Sequence, residues 1–468
     1  MILLQKKILS MKNIYPFHMP GHKRNKKFMY KNLLDLDFTE IYGLDNLQKP
    51  NGIIKKAESD CAKIFGCKKS FFCVNGASVA ILAAIFSVCQ EKEEIIAMRE
   101  SHKSFYNALE LRDLKPVFLY GKNLYSGIDY LELEKLLKKS NAKAVFITSP
   151  NYKGFCLDIK KIAQLTHKYK KILIVDEAHG AHFIFNKNFP VGAIKNGVDI
   201  VINSLHKTLP CLTQSAILNL NKNNSVDINR VKKYLNMFQT TSPSYIFMSV
   251  MDKTLKIISQ RGFYDNYVKK LLDVRKILSR NKIFELANKN HVQKFGFYDF
   301  DISKLVFFIN LAQKNINWEK ILIEKFKLGI EMQGLNYFIA LSSVADNDYG
   351  FHLLIKAINS LEKKFCHEYK KINFCDLKQV KLKNALSIKK TLARKKKYVE
   401  LKKSENKICA DYIILYPPGV PLIIPGEIIS RDIICLIFDL LNRNLNILGL
   451  KKNLFVSVVE FNCQKKYF

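Results

Sequence analysis

Between about residues 55 and 265, short apolar runs alternate with amphipathic stretches. Ser70-Phe-Phe-Cys-Val74 reads as a strand and Ala77–Cys89 as the helix after it. Ile95–Met98, Pro116–Leu119, Ala144–Ile147, Ile172–Val175 and Asp199–Ile202 read as further strands, with helical periodicity at Leu131–Lys139 and Asp158–Tyr169 between them. Strands apolar on both faces and separated by helices predict an α/β fold with a mostly parallel sheet covered on both sides. After about residue 266 the pattern changes to lysine-rich amphipathic helices with fewer buried strands. The first 50 residues form an arm, and its Phe17-His-Met-Pro-Gly-His-Lys23 is an extended segment unsuited to regular structure. Tyr416-Pro-Pro-Gly-Val-Pro421 is a rigid turn that no helix can contain. There is no repeat of solenoid period.

Composition narrows the class. A chain of 468 residues, 48% hydrophobic and 12% aromatic, buries a sizeable core. That excludes a disordered protein, a disulfide miniprotein and a collagen-like fibre. The 76 basic against 41 acidic residues give a net charge of +35, a field that favours acidic partners. The lysines are spread over the whole chain, however, which points to a compositional bias and not to a specific nucleic-acid site. The basic run Lys389–Lys403 alternates with apolar residues and reads as a solvated helix face or strand edge. Eleven cysteines lack any C-x-x-C or Cys/His spacing, which argues for a reduced chain without a zinc site. No apolar run approaches membrane-spanning length. The opening Met1–Lys7 is too short and charged for a signal peptide, so a cytoplasmic location is expected.

Three strand ends carry chemistry, because ligands of open α/β sheets gather at the carboxyl edge. Asp176 follows the apolar run Ile172–Val175; alone, it could as well cap the next helix. His206 and Lys207 follow Asp199–Ser204. A lysine at the mouth of a buried sheet can be uncharged and form a Schiff base, though a solvated lysine is the simpler reading of Lys207 alone. Val74-Asn-Gly-Ala-Ser78 precedes an apolar helix, whose free N–H groups can receive a phosphate or simply take an N-cap.

The combination is stronger than its members. A phosphate-type turn, then an Asp, then a Lys is the order used by pyridoxal-phosphate enzymes. Lysine binds the aldehyde, a carboxylate keeps the pyridine nitrogen protonated, and a helix N-terminus takes the phosphate. An imidazole can stack on the ring, and His102 after the Ile95–Met98 strand is placed for that.

With those motifs, the sequence resembles the fold-type I, pyridoxal-phosphate-dependent ornithine/lysine/arginine decarboxylases, in the short form without an N-terminal wing domain. The resemblance runs over nearly the whole chain. It includes Phe17–Lys23, Thr39-Glu-Ile-Tyr-Gly-Leu-Asp-Asn-Leu47, Ser101-His-Lys-Ser-Phe-Tyr-Asn107 and Val175-Asp-Glu-Ala-His-Gly-Ala-His182. It continues through Ser204-Leu-His-Lys-Thr-Leu-Pro-Cys-Leu-Thr-Gln214, Gln239-Thr-Thr-Ser-Pro-Ser-Tyr245 and Tyr416–Glu427. It implies an arm over 1–50, a cofactor-binding major domain over 51–265, a small domain over 266–370 and a C-terminal α+β domain over 371–468.

The resemblance also assigns roles. Lys207 would carry the Schiff base and Asp176 would partner the pyridine nitrogen. His102 would stack on the ring, with Ala178 and His179 beneath or beside it. Gly76, Ala77, Ser78 and Ser204 would hold the phosphate. His206 would contact the phosphate or the substrate carboxylate, and either Lys207 or His206 would protonate Cα. Thr241 would reach the phosphate of a neighbouring protomer, since the family builds its sites across a homodimer interface. His18 and His22 would help close the site. Asp45 and Glu427 would be acids for the substrate's distal cation. The implied reaction is decarboxylation of arginine, lysine or ornithine, feeding polyamine metabolism, with no metal and no membrane partner.

Three positions depart from the family pattern. Ala77 lacks the usual hydroxyl, which removes a phosphate hydrogen bond of about 1.5–3 kcal/mol. Leu205 replaces a small residue, and Lys153 puts a cation near the site entrance. A competing reading keeps the cofactor and makes the chain an aminotransferase or C–S lyase; a nucleic-acid or membrane-surface role, prompted by the charge, would be an added property.

Overall fold

The structure is a computed structural model that describes residues 3–460 except 122, 124, 125, 223–225, 312–315, 373–378, 417, 418 and 444. The Pro417-Pro418 pair of the expected turn and Cys463 therefore lie outside the described residues. The chain forms two compact units. One comprises Met1–Ser87 with Ile147–Cys375, the other Val88–Phe146 with Asp376–Phe468.

Among the strands that organise them are β1 (Lys69–Cys73), β2 (Glu94–Met98), β3 (Lys115–Leu119), β4 (Ala144–Thr148), β5 (Ile172–Asp176), β6 (Ile200–Ser204), β7 (Ala216–Leu220), β8 (Phe284–Leu286), β9 (Lys304–Ile309), β10 (Met332–Gln333) and β11 (Tyr337–Leu341). In the first unit the order is β1-β7-β6-β5. β5 and β6 run parallel, whereas β7 is antiparallel to both β6 and β1. The expected parallel sheet is thus mixed here. Ala216-Ile-Leu-Asn-Leu220 is a fully buried strand, but it follows Leu205–Thr208 too closely for a crossover helix, so the chain returns antiparallel. A smaller antiparallel sheet has the order β8-β9-β11-β10. Its β9 and β11 are buried along their whole length. The lysine-rich composition beyond residue 266 therefore conceals a second buried sheet.

The arm is tied to this unit. Tyr15–Phe17 pairs in parallel with Leu328–Ile330, so part of the segment expected to lack regular structure is a strand. At Gly21 the backbone passes so near Leu209 that an added Cβ would stand 2.6 Å from its carbonyl oxygen. Only glycine permits that approach.

In the second unit β3 and the start of β4 lie parallel to β2. The C-terminal segment adds a three-stranded sheet of Ile413–Tyr416, Val420–Ile423 and Asn446–Leu448, and a two-stranded one of Lys396–Glu400 with Phe455–Val459. Packed aliphatic residues such as Ile413, Ile423, Ile433, Ile437 and Val458 form its core. The basic run becomes the helix Ile388–Leu392 and the largely exposed edge strand Lys396–Glu400, a solvated arrangement as its alternation predicts. No helix among the described residues is long and apolar enough to cross a membrane. No group of three or more potential metal ligands occurs among them.

Candidate active site

β5 and β6 place two of the expected residues at neighbouring strand ends. Asp176 closes β5 and is in register with Ile202 of β6. It is buried, and its Oδ1 accepts the Ala178 N–H at 3.1 Å. The next residue, Glu177, holds Asn203 Nδ2 at 2.9 Å and the Ala193 N–H at 2.8 Å. Burial pushes its carboxyl up to about 8, and its bonds to Asn203 and Ala193 make Glu177 a structural partner.

β6 runs into the short helical turn Leu205–Thr208, which presents His206 and Lys207 half-buried. Burial lowers the Lys207 ammonium below the ordinary lysine range, opposed by the charges of Asp176 and Glu331. Its Nζ lies 3.2 Å from His179 Nε2. His206 Nδ1 lies 3.0 Å from the Ser215 carbonyl, and a carbonyl can only accept, so Nδ1 carries the proton and Nε2 is the acceptor of the neutral ring. Burial also holds His206 below the usual histidine range.

The arm reaches the same turn. Gly21 N donates to the His206 carbonyl at 2.7 Å, and Ser343 Oγ donates to the Gly21 carbonyl at 2.6 Å. His18 Nδ1 donates to the Met19 carbonyl at 2.6 Å, and His22 Nδ1 accepts from Arg24 N at 2.9 Å. Lys23 Nζ donates to the His18 and Leu341 carbonyls. The arm histidines are thus brought to the edge of the Lys207 turn.

Three side chains absent from the sequence expectation, Lys304, Glu331 and Asp301, complete the cluster. Lys304, first residue of β9, places Nζ 2.8 Å from His179 Nδ1. Glu331 accepts Tyr152 Oη at 2.5 Å on one oxygen and the Met19 N–H at 2.8 Å on the other. Asp301 receives Ser303 Oγ at 2.7 Å and lies 3.1 Å from His182 Nε2. In a chain with so many lysines, Lys304 is visible in sequence only as a charge opening an otherwise apolar strand. Glu331 had no motif around it at all.

The phosphate-type turn forms as expected. Gly76, at φ +79°, starts the helix Gly76–Val88, with Ala77 half-buried and Ser78 exposed in its first turn. The loop bearing Thr241 is held beside it: Gln239 Oε1 accepts the Val74 N–H and Asn75 Oδ1 accepts the Thr240 N–H. Thr241 itself is exposed. Ser204 Oγ, Thr208 Oγ1 and Ser215 Oγ, all around the Lys207 turn, are buried without a partner among the described residues. Buried hydroxyls rarely stay unpaired. A lysine, an acid, a helix N-terminus and unsatisfied hydroxyls at one sheet edge fit an aldehyde that carries a phosphate. His102 belongs to the second unit, where it is exposed and its Nδ1 accepts the Ser104 N–H as the cap of the helix Lys103–Arg112.

Two expected substrate acids are corrected. Asp45 accepts the backbone N–H groups of Asn46, Asn51, Gly52, Ile54 and Lys55; it is the cap of the helix Ile53–Phe65, with both oxygens committed. Glu427 is fully buried and forms two 2.7 Å bonds to Arg99, while Oε2 also accepts the Ile424 N–H. A carboxylate already neutralised by a buried guanidinium has no charge left for a substrate. Of the departures, Leu205 is fully buried, and Lys153 is buried with Nζ 4.5 Å from the Tyr337 ring centre.

Comparison with known proteins agrees with this geometry. Residues 6–338 match the Orn/Lys/Arg decarboxylase major domain and residues 367–445 its C-terminal domain. The arginine decarboxylase of Halalkalibacterium halodurans is 31% identical over 442 residues, covering 90% of this chain and 89% of that protein. That of Bacillus anthracis is 29% identical over 444 residues, covering 90% and 89%. Among solved structures, lysine decarboxylase A from Pseudomonas aeruginosa superposes with a TM-score of 0.78 at 16% identity, over 97% of this chain and 81% of that one. The constitutive lysine decarboxylase of E. coli gives 0.75 at 18% identity, over 93% and 76%. The fold is that of the fold-type I enzymes, and the chain belongs to the Orn/Lys/Arg decarboxylase family, whose members are pyridoxal-phosphate-dependent decarboxylases.

Proposed function

We propose that this enzyme decarboxylates arginine, that its amine product enters polyamine metabolism, and that it works in the cytoplasm as a homodimer. The observation that carries the reading is Lys207, an amine held half-buried between Asp176 and His179 at the sheet's carboxyl edge. The names of the relatives favour arginine over lysine or ornithine.

When bound, pyridoxal phosphate would supply an electron sink for the pair left behind by the departing carboxyl group. The chain's residues do the rest. Asp176 offers a buried negative charge to a protonated ring nitrogen. The N–H groups at Gly76–Ser78 and the Ser204 hydroxyl would receive the phosphate, and Thr241 would be contributed to the partner's site. Ala178 and His179 would support the ring from the same strand end as Asp176. His206 Nε2 is free to accept a proton, since Nδ1 is committed to Ser215. Either it or Lys207 returns a proton to Cα. The arm, with His18 and His22, excludes water from the turn that carries Lys207.

The test is carbon dioxide release from carboxyl-labelled arginine, lysine and ornithine by the purified protein with added pyridoxal phosphate. Release from arginine, lost in Lys207→Ala, is the expected result. Silence on all three by folded, cofactor-loaded protein would move the assignment to an aminotransferase or lyase reaction.

A further inference from the structure

The strand β9 opens with a lysine buried as deeply as its phenylalanines. Lys304 is 1% exposed, and its Nζ lies 2.8 Å from His179 Nδ1. Lys207 Nζ lies 3.2 Å from Nε2 of the same ring. Two amines therefore flank one imidazole. The backbone is shaped to admit this: the Lys304 stem crosses Gly154, where an added Cβ would stand 2.6 Å from Lys304 Cγ. Gly154 also has φ +84°, a conformation that other residues adopt at a cost. The Asp301 N–H donates to the Gly154 carbonyl at 2.8 Å and fixes the crossing.

A neutral imidazole has one N–H and one lone pair, and an ammonium can only donate. Both contacts are hydrogen bonds only if the two amines carry no more than one ammonium between them. The ring then accepts from the charged amine and donates to the uncharged one. Neither amine can be charged independently of the other.

We propose that Lys304 and His179 form a proton relay for Lys207, in which the two amines share one proton through the imidazole and Lys304 takes the proton that Lys207 must shed before it can bond to a carbonyl carbon. When Lys207 Nζ passes a proton to His179 Nε2, the proton on Nδ1 passes to Lys304 Nζ. No proton leaves for solvent and no bond to carbon changes in that step. Lys304 acts through His179 and is a positioning residue. The functional meaning rests on reading Lys207 as the amine that binds the cofactor.

The surroundings allow the proton to sit at either end. Asp176 and Glu331 favour charge on Lys207, beside which burial holds His206 below the ordinary histidine range. Burial brings Lys304 down to about 8; Asp301 and Glu331 favour its charge, and Lys207 and Lys23 oppose it. The Tyr152 carbonyl, 3.5 Å from Lys304 Nζ, can accept only from that end.

The experiment is competitive acetylation of the full-length chain, freed of pyridoxal phosphate, with peptide mass spectrometry giving the pH profile of Lys207. Lys304→Met removes the acceptor, so Lys207 keeps its proton and its midpoint rises by about one pH unit. Lys304→Arg sets a permanent cation against Nδ1, so the ring must donate from Nε2 and the Lys207 midpoint falls. Shifts of opposite sign are beyond a role in packing alone. An unchanged midpoint, or a shift in one direction in both variants, overturns the relay. If only one variant folds, its predicted direction decides. If neither folds, the wild-type profile decides: two steps, the second coincident with that of Lys304, support the relay, and a single step overturns it. No cofactor or substrate is used, so the outcome is independent of the carbon dioxide assay.

Discussion

Two sets of buried charge in this chain obey different rules. In the second unit Arg99 and Glu427 form a closed pair: two 2.7 Å bonds, with the Leu422 carbonyl and the Ile424 N–H taking further valences. Burial disfavours the Arg99 charge, but Glu427 restores it and holds the guanidinium protonated at any accessible pH. In the first unit Lys207, Lys304 and His179 form an open set. Two amines compete for one ring, Asp301 Oδ2 has no partner among the described residues, and three hydroxyls nearby are unsatisfied. A matched pair fixes one geometry, whereas an unmatched cluster is poised to bind and to move protons. Glu427 resembles a ligand in sequence and is a strut in the structure; Lys304 resembles a surface lysine and is buried against the same imidazole as Lys207.

The open set depends most on Lys207. Lys207→Ala should leave the far-ultraviolet circular dichroism unchanged and abolish turnover, as loss of the cofactor-binding amine requires. Next come the struts. Arg99→Met or Glu427→Gln alone should cost about 3–5 kcal/mol, because each leaves an unpaired buried charge or donor, whereas Arg99→Met with Glu427→Leu should recover most of that. Denaturant unfolding measures both, and equal losses in the single and double variants would contradict the closed-pair description.

Asp45→Ala sharpens the same distinction at smaller scale. It removes a helix cap and should cost about 1–2 kcal/mol without altering the preference among arginine, lysine and ornithine. Burial raises the Asp45 carboxyl, but the backbone N–H groups of Asn51, Gly52, Lys55 and Asn46 outweigh it and hold it below the usual range. The cap's contribution is therefore complete above the ordinary carboxylate pKa and is lost as pH falls through the lowered value. The gap between wild type and variant should close in acid. The smallest effect concerns His18, His22 and His206, which burial holds below the ordinary histidine range. As pH falls below about 6.5 the unfolded chain takes up protons that these rings refuse, so stability declines. His22→Gln should flatten that slope in denaturant midpoints measured from pH 7.5 to 5.5.

Much of this was legible in the residues. Apolar runs located β1 to β6 to within about two residues, because strands buried on both faces, as all of these but the half-buried β3 are, leave continuous signals. The placement of Asp176 and Lys207 at strand ends was legible for the same reason. What escaped depends on contacts made far along the chain. β7 was missed because Asn219 interrupts its apolar run, and that amide is satisfied by Ser70 and Asn203 on neighbouring strands. Lys304 was missed because its meaning lies in a glycine 150 positions earlier. Asp45 and Glu427 were misassigned because a motif shows which residues are acidic, not which donors already occupy them.

The central claim is that Lys207, and not its neighbour on the same imidazole, is the amine that carries the cofactor. Borohydride reduction of the protein with bound pyridoxal phosphate, followed by peptide mapping, tests it directly. A phosphopyridoxyl group on Lys207 alone is the predicted result. Modification of Lys304, or of surface lysines with Lys207 left free, would contradict the account.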